Sequence, residues 1–212
     1  MEAGTIVALW RYPVKSLRAE PLERARVLPD GIEGDRTAAL VVETPTHARV
    51  GKPYRGKESR FLHLTPDPQT AASYAADEDV LLALSRELPR WFDARPVSLL
   101  FDLWVHDVES LVGEALDPLR WRPNLFVRAA PAFVLREADV VGATVRTGTC
   151  VLRVVETTRR CLTTTWDVQT GDPMPEVLGE VARRRDAVVG VYCEVVRTGE
   201  IATGDTLTIE RA

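Results

Sequence analysis

The chain has 212 residues, 45% of them apolar and 27% charged, with a formal net charge of −4. That length buries a sizeable core as one domain or two small interlocked ones, and the mild acidity argues against nonspecific nucleic-acid binding, which needs a basic surface. No apolar run approaches the ~20 residues that span a bilayer, and no charged leader with a long apolar stretch is seen, so neither a membrane nor an export signal is expected.

Short apolar runs separated by turn residues predict strands at Thr5–Trp10, Thr37–Glu43, Phe61–Thr65, Pro96–Phe101, Asn124–Arg128, Val145–Thr158, Ala187–Arg197 and Thr206–Glu210. Turn pairs such as Asp30-Gly31, Glu33-Gly34, Thr147-Gly148 and Gly204-Asp205 punctuate them. Helical spacing of Val80, Leu81, Leu84 and Leu88 predicts a helix over Asp79–Leu88 with Asp77 as its cap. A second helix is predicted over Glu176–Arg185, behind Pro173 and Pro175 and ending in three arginines that suit the helix dipole, and a third around Glu109–Leu116. The fold class is therefore mostly β (α+β), with a few short helices. Residues 44–60 are polar and basic, and are expected to form a mobile surface loop, either simply solvated or serving as a lid over an anionic ligand.

The chemistry-bearing motifs of several large classes are absent. There is no glycine-rich dinucleotide fingerprint, Walker loop, paired zinc ligands or nucleophile elbow. His47, His63 and His106 stand isolated and are taken as structural or surface residues. Cys150, Cys161 and Cys193 are odd in number and widely spaced, which is not a disulfide framework and fits a reducing cytoplasm.

Four segments stand out. Tyr12-Pro13-Val14-Lys15-Ser16 follows a strand and offers a cation and a hydroxyl to an anion. Gly31-Ile32-Glu33-Gly34-Asp35-Arg36 is a tight turn that delivers Arg36 to the next strand. Arg120-Trp121-Arg122-Pro123-Asn124 sets two cations before another. The most informative is Arg159-Arg160-Cys161-Leu162-Thr163-Thr164-Thr165-Trp166-Asp167-Val168-Gln169-Thr170-Gly171. Two arginines favour the Cys161 thiolate, which is the form that attacks or binds metal, and hydroxyls follow that can surround a polar ligand. Cys150 and Cys193 lie inside valine-rich strands and read as small buried hydrophobes.

In this order and at these separations the segments resemble the MOSC family, the domain named after the C-terminal part of molybdenum cofactor sulfurase. Tyr-Pro-Val-Lys-Ser and Gly-x-x-Gly-Asp-Arg are similar to its N-terminal β-barrel module, placed at residues 1–66. Arg-Pro-Asn, Arg-Cys-x-x-Thr-Thr, Asp-x-x-Thr-Gly and Gly190-Val191-Tyr192 are similar to its core, placed at residues 67–212. The resemblance implies a mixed β-barrel that binds molybdopterin, the molybdenum cofactor, as in the amidoxime-reducing members. It implies Cys161 as the molybdenum ligand, with Arg160 and Asp167 beside it. Lys15, Ser16, Arg36, Arg122, Asn124, Arg160, Thr164 and Thr170 are implied as cofactor-binding positions.

The expected activity is molybdenum-dependent reduction of a small N-hydroxylated or N-oxide substrate. Electrons are expected from a separate donor protein, because no iron–sulfur domain follows the core. Two alternatives stay open: sulfur transfer through a persulfide on Cys161, and a noncatalytic cofactor carrier. The stretch after Val42 departs from the family's usual continuation, which leaves the substrate open. No nucleic-acid or membrane partner is expected.

Overall fold

The computed structural model describes residues 1–55, 57, 62–87, 91 and 94–211. Among the described residues thirteen strands and three α-helices follow one another. The strands are β1 (Glu2–Arg11), β2 (Glu20–Leu22), β3 (Arg24–Leu28), β4 (Gly31–Ile32), β5 (Ala39–Val42), β6 (Leu82–Ser85), β7 (Val97–Phe101), β8 (Leu125–Ala129), β9 (Thr144–Thr147), β10 (Cys150–Arg159), β11 (Val188–Arg197), β12 (Gly199–Ala202) and β13 (Thr206–Glu210). The helices are α1 (Pro68–Ala76), α2 (Asp102–Val112) and α3 (Pro175–Arg185). Among the described residues no helix is long and apolar enough to cross a membrane.

Seven strands close into a barrel. The sheet runs β13-β9-β10-β11-β7-β8-β1, and β13 pairs back onto β1 to seal it. Closure removes the open edges that would otherwise invite pairing with another chain. Every barrel pairing is antiparallel except β7 with β8, where Leu99 faces Leu125 in parallel register. A parallel pair needs a crossover, and α2 supplies it. Its Trp104, Val105 and Val108 are buried against the barrel, and Gly113 ends it in the left-handed region at φ 78°. Phe101 stacks on Phe133 at 4.4 Å between ring centroids and meets Trp104 edge-on at 4.9 Å.

A second, smaller core lies under the segment between β1 and β7. It gathers Val14, Leu17, Leu40, Val42, Tyr54, Leu62, Ala71 and Val80. Here β5 and β6 pair as a two-stranded sheet, and α1 packs nearby with Asp67 accepting from Gln69 N and Thr70 N to cap its start.

The helix predicted over Asp79–Leu88 is not formed. Asp77 caps the end of α1, Asp79 takes a left-handed backbone at φ 60°, and Leu82–Ser85 becomes β6. The Asp67-Pro68 start signal outcompetes the apolar spacing further on, and partner strand β5 claims the apolar residues. The expected strand at Phe61–Thr65 is a 3-10 turn over Leu62–Leu64, with Phe61 outside the described residues. The run Val145–Thr158 is split by the turn at Gly148 into β9 and β10. The third helix begins at Asp102, seven residues before the predicted Glu109. Part of the basic loop is less free than expected. Val42 N donates to Lys52 O, Gly51 N donates to Val42 O, and Tyr54 N donates to Leu40 O at 2.8 Å, so this segment folds back along β5. Gly56 and residues 58–60 lie outside the described set.

Candidate functional site

One end of the barrel opens into a cavity of about 310 Å³, within the range that takes small organic ligands. Its wall is assembled from several separate places in the sequence. Ser16 follows β1, Arg36 follows the Gly34 turn, Arg120–Arg122 come from a 3-10 turn, Ser98 lies on β7, and Arg159 to Thr164 end β10. Seven cations line it (Arg36, Arg55, Lys57, Arg120, Arg122, Arg159 and Arg160), and none of its described residues is a carboxylate. In a chain of net charge −4 this concentration of positive charge marks an anion site.

The deep part of the wall is rigid and strained. Among the described residues six non-glycine residues have positive φ, and three of them, Ser16 at 71°, Arg36 at 50° and Arg122 at 51°, are in this wall. Each such residue costs on the order of 1–3 kcal/mol, which persists only where the surroundings over-determine it, and such residues cluster at functional sites. The over-determination is visible. Tyr12 lies between two guanidinium groups, with Arg122 4.1 Å and Arg36 4.7 Å from its ring centroid. Its hydroxyl donates to Pro123 O at 3.0 Å, and its amide donates to Asp35 Oδ1 at 2.7 Å. Asp35 is fully buried and pairs with Arg36 Nη1. Burial raises the Tyr12 phenol above its ordinary pKa despite both arginines, so it remains neutral.

Arg160 is held as firmly. Its Nε and Nη2 donate to Val189 O and its Nη1 to Trp121 O. Burial lowers its pKa to about 10, which still leaves it charged near neutrality. Arg120, 2% exposed, donates to the carbonyls of Thr164 at 3.1 Å and Trp166 at 3.0 Å, and pairs with Asp167 at 3.3 Å. It thereby fixes the turn that carries Cys161 to Thr165. Burial opposes ionisation of Asp167, but amides of Thr170 and Gln169 and the charge of Arg120 outweigh it, so its carboxyl titrates below the ordinary value.

The three cysteines differ sharply. Cys161 is exposed on the cavity wall, its Sγ 3.5 Å from Thr163 Oγ1. Cys150 and Cys193 are buried in the barrel, and burial pushes their pKa values up to about 11 and about 12.

The sequence pattern of the MOSC domain matches residues 71–208, and that of the MOSC N-terminal β-barrel domain matches residues 3–66. The chain belongs to the MOSC domain family. That family is related to molybdenum-cofactor-binding proteins. Mitochondrial amidoxime-reducing component 1 of Danio rerio is 26% identical over 158 residues, which is 70% of this chain and 46% of that protein. The chain therefore spans about half the length of that relative. Two solved structures share the fold. The YuaD protein of Bacillus subtilis superposes with a TM-score of 0.60 at 16% identity, over 100% of this chain and 97% of that one. YiiM of Escherichia coli gives 0.51 at 11% identity, over 100% and 71%.

Of the positions the MOSC resemblance pointed to, the structure brings Ser16, Arg36, Arg122, Arg160, Cys161 and Thr164 into one wall. Four others stand back from it. Lys15 Nζ donates to Trp91 O at 3.2 Å. Asn124 lies behind Ser98, its Oδ1 accepting from Ser98 N and Oγ and its Nδ2 donating to Trp10 O, so it splices β1 to β7. Asp167 accepts from the amides of Gln169 and Thr170, and Thr170 in turn accepts from Asp172 N, which makes both part of the turn beyond the wall. The wall also contains Ser98, Arg120, Trp121, Arg159, Thr163 and Tyr192, with Arg55 and Lys57 from the basic segment. Arg120 was visible as a cation before a strand, whereas Ser98 carried no signal at all.

The donor set fits a phosphate-bearing pterin that brings its own metal. Trp121 Nε1 and Arg120 Nε are buried without a hydrogen-bond partner among the described residues, which leaves polar donors at the wall for a ligand. No group of three or more His, Cys, Asp or Glu among the described residues could hold a metal ion. A metal at this wall would therefore take one thiolate from the protein and the rest of its ligands from elsewhere. Soft thiolate suits a thiophilic metal.

Proposed function

We propose that this protein binds a molybdenum cofactor in the barrel-end cavity and reduces small N-hydroxylated compounds, with Cys161 as the protein's ligand to the metal. One observation carries the reading. The cavity wall holds an exposed thiol and seven cations, with no carboxylate among its described residues. The name of the zebrafish relative adds support for amidoximes as the substrate class.

Arg36 and Arg122 reach the wall from separate elements and would hold a terminal phosphate, each by charge-assisted hydrogen bonds. Their stacking on Tyr12 fixes both before any ligand arrives, so little ordering entropy remains at binding. Arg160 and the Thr163–Thr164 pair would orient the group beside Cys161. The cofactor, when bound, supplies two-electron chemistry at its metal. The substrate's N–O bond breaks, two electrons and two protons enter, and the oxygen leaves as water. The electrons come from a separate donor protein.

The test is reduction of benzamidoxime by cofactor-loaded protein, with dithionite-reduced methyl viologen as electron source. Benzamidine should form with wild type and not with Cys161→Ser. Equal turnover by the two proteins rules out the ligand role. Sulfane sulfur on Cys161 without molybdenum points to sulfur transfer instead.

A further inference from the structure

Between the pairs Thr157–Val191 and Arg159–Val188 the β10–β11 ladder slips, so that Val189 and Gly190 stand opposite the single Thr158. This is a β-bulge, a device that re-aims side chains and is common beside functional sites. Two side chains take up polar groups of its backbone. Val189 O accepts from Nε and Nη2 of Arg160, which lines the cavity, and Gly190 N donates to Oε1 of Glu137 at 3.3 Å, which does not. Glu137 is 4% exposed and opens a 3-10 turn, Glu137–Val140. The same Oε1 receives Arg185 Nη2 at 2.6 Å from the end of α3, and Arg185 Nη1 reaches Asp107 of α2 at 2.7 Å. A buried ion pair adds little net stability over apolar side chains of the same volume, so the reason for this one is geometric. Both donors meet one oxygen and hold it at the bulge. The charges agree: burial disfavours the ionised form of Arg160, while Tyr192, Cys161 and Glu137, in that order, favour it.

We infer that Glu137 is a positioning residue: by holding Gly190 it fixes the bulge whose Val189 carbonyl keeps the Arg160 guanidinium at the wall next to Cys161. The bond from Arg160 Nη1 to Trp121 O anchors the other end of that guanidinium, so the bulge sets its orientation. The inference concerns Arg160 and holds whether Cys161 binds a metal or carries sulfur. Only the molybdenum readout below rests on the function proposed above.

In the experiment the full chain without cofactor is alkylated at Cys161 by iodoacetate and by iodoacetamide, well below the melting temperature, and the ratio of the two rates is read. The anionic reagent gains over the neutral one where positive charge lies near the thiol. Arg160→Ala should lower the ratio about two- to threefold, the effect of moving one unit charge several ångströms in a solvated site. Glu137→Ala should lower it nearly as far, and the double variant no further. Removing a carboxylate would by itself raise the ratio, so a fall reports a displaced guanidinium. Glu137→Gln, which keeps an acceptor for Gly190 N, should stay at or above the wild-type ratio. Val140→Ala, a cavity in the same turn, should lower the melting temperature and leave the ratio unchanged. If Glu137→Ala does not fold, Glu137→Asp takes its place, since it keeps the charge but withdraws the acceptor, and its ratio should fall. A ratio at or above wild type in the variant used overturns the proposal, as do effects that add in the double variant. In loaded protein the same variant should retain less molybdenum. A lowered ratio with full molybdenum leaves Glu137 its part and removes Arg160 from the cofactor site.

Discussion

Arg160 lies against Gly190 so closely that a Cβ on the glycine would stand 3.0 Å from its Nη2 and 3.1 Å from Leu99 O. Gly190 also has φ of 84°, a conformation side chains rarely take. The Gly-Val-Tyr motif thus makes room for the guanidinium beside Cys161. Gly190→Ala should cost ~1–2 kcal/mol from the backbone alone, lowering the melting temperature by several degrees. It should also weaken cofactor retention by displacing Arg160. A variant with wild-type melting and full molybdenum content would show that the glycine has no such part.

Thiol accessibility separates the cysteines directly. With Cys150 and Cys193 buried and their pKa values at about 11 and about 12, neither offers a thiolate near pH 8. Native apoprotein should react with a disulfide reagent at one thiol, and unfolded protein at all three cysteines. Loading with cofactor should protect the reactive one. Cys161→Ser should remove the native reaction entirely, whereas fast reaction persisting in that variant contradicts the assignment.

The two arginines around Tyr12 should fail in different ways. Arg122 is half-buried and stacks on Tyr12, and Arg122→Ala should cut cofactor affinity by roughly tenfold to a hundredfold with a small change in melting temperature. Arg36→Ala removes the guanidinium partner of fully buried Asp35. Breaking a buried pair from one side costs on the order of 3–5 kcal/mol, so this variant should melt markedly earlier. Thermal unfolding and molybdenum content measured together distinguish the two outcomes. Matching melting temperatures for the two variants contradict this division.

His63 should make stability depend on pH. It is buried, with Nε2 3.1 Å from Asp167 O, and burial lowers its pKa below the ordinary imidazole value. A lowered folded pKa means that the unfolded chain binds the proton more tightly. Stability is then fully present above the unfolded value of about 6.5 and falls as pH drops below it toward the folded pKa. The melting temperature should decline between about pH 7 and pH 5, and His63→Asn should flatten that decline. An identical slope in both proteins would mean that His63 does not titrate with folding.

Much of the barrel was legible because its strands are short apolar runs bounded by glycine turns, and Thr206–Glu210 appears with the bounds the pattern predicts. Helix α3 was legible from its prolines and its basic end, and it begins at Pro175. The Asp79–Leu88 segment was not, since its helical spacing is shared by a strand whose partner β5 lies forty residues earlier in the chain. In the site, Cys161 announced itself through adjacent arginines. Asn124 was implied as a ligand contact only by the MOSC resemblance, and in the structure its amide bonds to Ser98 and Trp10 tie strands together. Ser98 and Tyr12 depend on contacts made across more than twenty residues, which no local pattern encodes.

The most direct measurement is molybdenum K-edge X-ray absorption on protein expressed in a host that makes the cofactor, comparing wild type with Cys161→Ser. The wild type should contain one molybdenum per chain, with a sulfur scatterer that the Cys161→Ser protein lacks. Wild type without molybdenum, or an unchanged sulfur shell in the variant, would contradict cofactor binding through Cys161.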